Sequence, residues 1–322
     1  MVWLREVLAV PFGYIMSLLY LFTGNYLLSI VLLTVSVRIA MLPVSIKQQK
    51  NTSRQVRLQP KIKKIQEKYK GDQRKISEET QALYNREGFS VTQGGCVPLL
   101  VQFPIMIGLF GVIYTPLSNV LRIANGTMTA LISAFKEYAG ALDIKVQDNT
   151  IEIKLLEHFG NFIASKSESA VAAVKMLSER DFSEINKLID GFQLFGVQLF
   201  ETPDAKSFGK LWIFPILAGV TSLLSAGFMY IKQKQQNPDM AKNPTMGCMT
   251  FSSPLMSVAF AFMFPAGVGF YWIVSNVISF VQTVALNYIY SPKKVIARNM
   301  VEETIMHRAR ENNIKKRVEM QK

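Results

Sequence analysis

YLLSIVLLTVSVRIAMLPVSI, residues Tyr26–Ile46, decides how this chain is read. Arg38 is the only charge in it, and an apolar run of this length reads as a transmembrane helix. Eight residues separate Arg38 from Lys47, where a basic flank begins, roughly 12 Å at 1.5 Å per residue. The half-thickness of the hydrocarbon core is about 15 Å, so the guanidinium starts near mid-bilayer. A charge at that depth costs at least ~2.5 kcal/mol and has to face protein or a wet cavity. The competing arrangement, in which Arg38 snorkels to the headgroups, strains the reach of the side chain.

Outward from this segment, the composition is that of an integral membrane protein: 49% hydrophobic, with 15 Met and 21 Phe. Three further stretches are nearly free of charge: 88–121, 211–231 and 243–292. The last, about 75 Å long as one helix, must fold back on itself, and Pro265-Ala266-Gly267 supplies the break. The reading is an all-α polytopic protein with five spans around a polar groove: 25–46, 95–115, 210–231, 247–264 and 267–289.

Charge placement orients the spans. The net charge is +13. Segment 47–90 has 12 Lys/Arg against 5 Asp/Glu, 232–247 has 3 against 1, 291–322 has 9 against 4, and 116–210 has 10 against 12. The positive-inside rule puts the three basic segments in the cytoplasm and 116–210 outside. The start of the first span is then outside and the C-terminus inside. Residues 1–24 form either a helix on the outer surface or a short extra span; Pro11 and the 16-residue apolar run Val7–Phe22 favour the surface helix. A cleaved signal is not expected, because no small-x-small site follows.

The cytoplasmic segment 47–92 reads as a basic helical hairpin. Pro60 suits a first helical turn, and Leu58, Ile62, Ile65 and Tyr69 follow as an apolar stripe among Lys61, Lys63, Lys64 and Lys68. Gly71-Asp72 makes the turn, and Gly88 is a natural stop. These lysines, with Lys315, Lys316 and Arg317 in the basic tail 290–322, are candidate docking residues for a ribosome or for anionic headgroups; a merely solvated surface is the plain alternative. The loop 232–246 is short. The outer region 116–208 is too long for a bare loop: Ser167–Glu179 carries helix-capping chemistry, and Lys145–Val146 with Ile151–Lys154 suggests a small β-hairpin.

Catalytic raw material is scarce. His158 and His307 are the only histidines, Cys96 and Cys248 have no metal-ligand company, and no P-loop, dinucleotide or zinc signature occurs. No acid accompanies Arg38 in the membrane, which argues against a proton-coupled pump. No internal repeat points to an inverted-repeat transporter. Histidine-based catalysis thus has almost no raw material, Tyr, Lys or carboxylate chemistry stays open, and no cofactor or metal is expected.

The polar side chains of the fifth span share one face: Trp272, Ser275, Asn276, Ser279, Gln282 and Thr283. Val274, Val277, Val281 and Val284 occupy the other. Thr221 and Ser225 on the third span, Gln102 on the second and Thr34, one turn before Arg38, complete the candidate groove. Small polar residues in membrane helices also act as interhelical glue, but amides and a guanidinium need partners or water in the bilayer. On this reading alone, a positive charge in a wet groove serves an acidic segment in transit, an anion pore or a substrate carboxylate.

A resemblance narrows these choices. VRIAMLPVSIKQQK (Val37–Lys50), LQPKIKKIQEKYKGD (Leu58–Asp72), LVQFPIMIGLFGVI (Leu100–Ile113), FPILAGVTSLL (Phe214–Leu224) and FPAGVGFYWIVSN (Phe264–Asn276) occur in the order seen in the YidC family of membrane protein insertases. As a set they are similar to that family and specific for it. The resemblance implies a surface helix, five spans, a cytoplasmic hairpin and a groove open to cytoplasm and lipid, with Arg38 at the position of the family's groove arginine and Gln102 and Trp272 on matching motif positions. Many relatives carry Gln where this chain has Ser225, and segment 116–207 is longer than in typical short members. The chain looks like the shorter, Gram-positive type. The activity implied is nucleotide-independent insertion and chaperoning of nascent membrane protein clients, with lipids, the ribosome and the Sec translocon as partners. The rivals are a small anion channel or transporter with Arg38 as selectivity charge, and a scaffold that binds helices without moving them.

Overall fold

The computed structural model describes residues 2–87, 97–236 and 244–320. Within them the chain is helical apart from one two-stranded ladder. It divides into two units, residues 1–39, 101–230 and 243–279 in one, and 40–100, 231–242 and 280–322 in the other.

In the first unit, α1 (Val2–Thr23) runs as one helix through Pro11 and turns at Gly24, whose φ of +62° is the left-handed conformation that ends helices. Asn25 then accepts the Leu28 N–H at 3.0 Å and opens α2 (Tyr26–Ala40). α5 (Val97–Tyr114) lies close to α1: a Cβ on Gly108 would fall 2.5 Å from the Phe12 ring. Glycine there sets the helix spacing. A π-helical turn, Leu117–Leu121, follows and stops at Arg122, itself left-handed with φ 57°.

The long segment after α5 is a packed helical region: α6 (Asn125–Ala141), α7 (Ile151–Glu157), α8 (Phe159–Ala164), α9 (Glu168–Lys175) and α10 (Glu179–Gly191). Ser167 and Ser178 cap α9 and α10 by accepting the N–H of Ala170 and Asp181; the capping expected at Ser167 is present. The β-hairpin expected over 145–154 is not. Ile151–Glu157 is helical, and Ile151, Ile153, Leu155 and Leu156 are all buried. A segment buried on nearly every side shows neither a period of 2 nor one of 3.6, so its alternation misleads. The only ladder among the described residues is β1 (Gln193–Leu194) with β2 (Val197–Gln198), turning through Phe195 and Gly196 at φ 56° and 72°.

α11 (Ile213–Gln236), α12 (Pro244–Met263) and α13 (Ala266–Ile289) complete this part of the chain. The break between α12 and α13 falls at Phe264–Pro265, as the proline predicts. The first N–H groups of α13 find partners just after β2: Ala266 donates to the Glu201 carbonyl and Gly267 to that of Leu199, each at 2.8 Å. Among the described residues two helices, Lys210–Gln235 and Ala266–Ile289, are long and apolar enough to cross a membrane. A third is added if Tyr26–Ala40 and Leu42–Lys68 form one interrupted span, and Val7–Thr23, Phe103–Tyr114 and Thr250–Met263 are shorter apolar helices. The first span expected over 25–46 is therefore not one unbroken helix: it is interrupted at Met41, where Pro43 stands in the first turn of the next helix.

The second unit holds α3 (Leu42–Lys68), α4 (Gln73–Arg86) and α14 (Pro292–Met320). Pro60 lies inside α3 rather than in a first turn. It removes one backbone bond, and the burial of Leu58 and Ile62 on either side holds the helix through it. The turn expected at Gly71-Asp72 is present, with Gly71 at φ +97° and Asp72 accepting the Lys75 N–H at 3.0 Å. Leu58, Ile62 and Leu83 form a small buried cluster flanked by Ile65 and Tyr84. Gly88 and Cys96 lie outside the described residues, as does the side chain of Cys248. The basic tail is a helix packed along α3. Gln49 donates to Asn287 Oδ1 at 3.2 Å, and the Lys50 ammonium sits 5.3 Å from the centroid of the Tyr290 ring.

Candidate functional site

Arg38 stands in the last turn of α2, half-buried, and its Nη2 donates to Ser275 Oγ of α13 at 2.7 Å. Ser275 is buried. A guanidinium has five N–H donors, so one hydroxyl holds it in place while leaving donors for another acceptor. The next residue of α13 faces another helix. Asn276 Nδ2 donates to the Ala218 carbonyl at 3.4 Å and to Thr221 Oγ1 at 3.3 Å, while Thr221 bonds the Leu217 carbonyl at 2.8 Å. Two adjacent polar positions, about 100° apart around the helix axis, thus tie α13 to α2 on one side and to α11 on the other.

The remaining candidates fall around this centre in different ways. Thr34 is buried and spends its hydroxyl on the Ile30 carbonyl of its own helix at 2.7 Å. Ser225 likewise bonds the Thr221 carbonyl at 3.3 Å. Trp272 joins an aromatic cluster, stacked on Phe260 at 5.4 Å and within 6.0 Å of Phe110 and 6.5 Å of Phe264. Ser279, Gln282 and Thr283 continue along α13, each half-buried, the last two in the second unit. The side chain of Gln102 lies outside the described residues. Val277, Val281 and Val284 of α13 are exposed, as are Ile216, Val220, Leu223 and Leu224 of α11.

Among the docking candidates, Lys61 is engaged in an ion pair with Glu87 across the hairpin. The Lys68 ammonium lies over the Tyr69 ring at 4.9 Å, and hydrogen bonding to Tyr69 holds its pKa above the ordinary lysine value. Lys63 and Lys64 are exposed. The side chains of Lys315, Lys316 and Arg317 lie outside the described residues.

Two partners were missed at the level of sequence. Ser275 was seen only as one member of the polar stripe, and its spacing from Asn276 carried no sign that it holds Arg38. The buried contact between Ser257 and Ser222, 3.3 Å across α12 and α11, had no signal beyond two small polar residues in apolar runs.

Long apolar helices joined through a half-buried arginine define an all-α membrane protein. A model of the family described as 60Kd inner membrane protein matches residues 18–294, and the chain belongs to that family, the family of the YidC insertases. It is 28% identical over 272 residues to the membrane protein insertase YidC of Granulibacter bethesdensis, covering 84% of this chain and 36% of that protein. It is 26% identical over 263 residues to the membrane protein insertase MisCA of Bacillus subtilis, covering 80% and 69%. To the membrane protein insertase YidC 2 of Listeria innocua it is 25% identical over 297 residues, covering 90% and 75%. The chain thus spans little more than a third of the Granulibacter relative and about three-quarters of the Listeria one.

Proposed function

We propose that this protein inserts the transmembrane segments of other membrane proteins into the bilayer and helps them fold. The names of its relatives support the activity, and the Arg38–Ser275 hydrogen bond carries the mechanism. In this reading five spans cross the membrane, over 25–46 (interrupted at Met41), 95–115, 210–231, 247–264 and 267–289; the region 116–208 is outside, and the hairpin and tail are cytoplasmic. Residues 1–24 lie on the outer surface.

The chemistry follows from the placement of one cation. An acidic or polar segment of a client crosses the hydrocarbon slowly because its groups must be desolvated. A guanidinium fixed at mid-depth, with donors left over, offers it a charge-assisted hydrogen bond there. Thr221, Ser225, Asn276, Ser279, Gln282 and Thr283 extend the polar path, with Thr34 and Gln102 beside it. The following hydrophobic helix slides out along the exposed apolar faces of α11 and α13. Partition of about 20 apolar residues supplies the driving force, so no nucleotide need be hydrolysed. Lys61, Lys63, Lys64, Lys68, Lys315, Lys316 and Arg317 serve client delivery, meeting the ribosome, the Sec translocon or anionic lipid.

The test is reconstitution of the purified chain into liposomes with a short single-span client bearing acidic N-terminal residues, scored by protease protection. Arg38→Lys should retain most insertion and Arg38→Ala should lose it for acidic clients, with both variants accumulating in the membrane. Normal insertion by Arg38→Ala would overturn the mechanism. Ion flux without client would favour the anion channel, and client binding without protection would favour the scaffold.

A further inference from the structure

From Val7 onward α1 is apolar on most of its circumference. Ala9, Gly13, Met16 and Tyr20 face the protein, while Val7, Val10, Tyr14, Leu18, Leu21 and Phe22 form an exposed stripe at helical spacing, Leu21 at 74% and Phe22 at 86% exposure. Beside the end of this stripe lies a cavity of about 490 Å³ lined by Ser17, Tyr20, Arg122, Arg180 and Lys187, with Asp181 and Glu184. Glu184 is paired with Lys187 at 2.8 Å, which sets the two arginines against one aspartate. Tyr20 is more than nine-tenths buried in the wall, and its hydroxyl has no hydrogen-bond partner among the described residues.

Arg122 is held for this position. Its backbone is left-handed, its guanidinium carbon is 3.5 Å from the centroid of the Tyr14 ring, and it also lines a second, more open cavity of about 610 Å³ with Val10 and Tyr14. The surrounding segment 116–210 carries more acid than base, so the arginines are a local feature and not part of a general basic field.

We propose that this cavity binds the phosphate headgroup of an anionic glycerophospholipid of the outer leaflet, with its acyl chains along Leu18, Leu21 and Phe22. The inference rests on the outward placement of 116–208 proposed above. Arginine matches a phosphate with two parallel donors. The cavity lies within the usual size range of small-ligand sites, and the apolar stripe supplies what a free phosphate would not use.

The full-length chain in detergent, titrated with phosphatidylglycerol and followed by native mass spectrometry, tests it. Arg180→Gln changes an exposed side chain, and Arg122→Asn keeps a residue that tolerates φ > 0. Each should weaken the tightest phosphatidylglycerol by at least about tenfold, the loss expected for one charged hydrogen bond. Phosphatidylcholine should bind no more tightly to the parent than to the variants. Unchanged affinity in both variants would overturn the site, and so would displacement of the lipid by inorganic phosphate, which would mark a free-anion site. In whole cells, Ser133→Cys on exposed α6, in a chain whose Cys96 and Cys248 are replaced, should react with an impermeant maleimide from outside. Labelling only from the cytoplasmic side would overturn the topology, and the outer leaflet with it, whatever the lipid titration gives.

Discussion

The packed region 117–200 is built from short helices and the basic unit from two long ones, α3 and α14, with the shorter α4, and the two use charge and burial in opposite ways. In the first, Leu131, Phe135, Leu155, Phe162, Ile185 and Leu188 are completely buried. A buried carboxylate, Glu152, accepts the N–H groups of Leu117 and Ser118 and the Ser118 hydroxyl, and so anchors the π-helical turn. In the second, the buried cluster among the described residues is only Leu58, Ile62 and Leu83, and charges pair on the surface: Lys61 with Glu87, Arg74 with Glu78, Arg298 with Glu302. Exposed pairs contribute about 0–1 kcal/mol each, whereas a buried acceptor of three bonds fixes one conformation. The difference teaches which part can adapt. One region is a specified framework; the other is a charged surface with a shallow core.

The largest effect should come from breaking the framework. Glu152→Ala leaves the buried Leu117 N–H unsatisfied and removes two further bonds to Ser118, a loss of about 2 kcal/mol, and should lower the thermal midpoint of the detergent-solubilised protein. An unchanged midpoint would place Glu152 outside the framework. Leu83→Ala should cost about 2 kcal/mol, the low end for a core leucine because this cluster is small and partly open. It should speed hydrogen exchange in α3 and α4 and leave α6 to α10 as protected as before; equal loosening of both would end the contrast. Ser275→Ala removes one hydrogen bond to a cation, and insertion of acidic clients should fall about threefold to tenfold, less than for Arg38→Ala. Were the two variants equal, Ser275 would matter for more than holding the arginine.

The smallest effect belongs to the surface. The Lys136 ammonium, 2.8 Å away, hydrogen-bonds the Asp148 carboxylate and holds it below the usual carboxylate range. A carboxyl depressed in the folded state adds stability above its unfolded pKa, and that stability is lost as pH falls through the folded value. Lys136→Ala should therefore be marginally less stable than the parent at pH 7 and indistinguishable from it in acid. A difference that grows on acidification would show the pair acting in the opposite sense.

Sequence legibility followed the same divide. Positions read through one face of an element came through: the turn at Gly71-Asp72, the break at Pro265, the Ser167 cap and the stripe Leu58/Ile62 are local chemistry with one neighbour to satisfy. Ile151–Glu157 failed because burial on all sides erases the period. The extent of α3 failed because Pro60 is a local signal overridden by packing against Leu83. At the site, spacing grouped Ser275 and Asn276 with the other polar residues of α13. That Ser275 holds Arg38 was not legible, because the partners lie 237 residues apart and several hydroxyls on that helix were chemically equivalent candidates.

The first turn of α13 carries a consequence for the order of manufacture. Its N–H groups at Ala266 and Gly267 end on the carbonyls of Glu201 and Leu199, and a Cβ on Gly267 would lie 2.3 Å from the Phe192 ring. The receiving half of this joint, 192–201, leaves the ribosome well before residue 266 is made. The helix that carries Ser275 and Asn276 therefore arrives at a finished socket shaped for a residue without a side chain. A larger residue at 267 would leave the first turn of α13 unseated, while everything translated before it could already be folded.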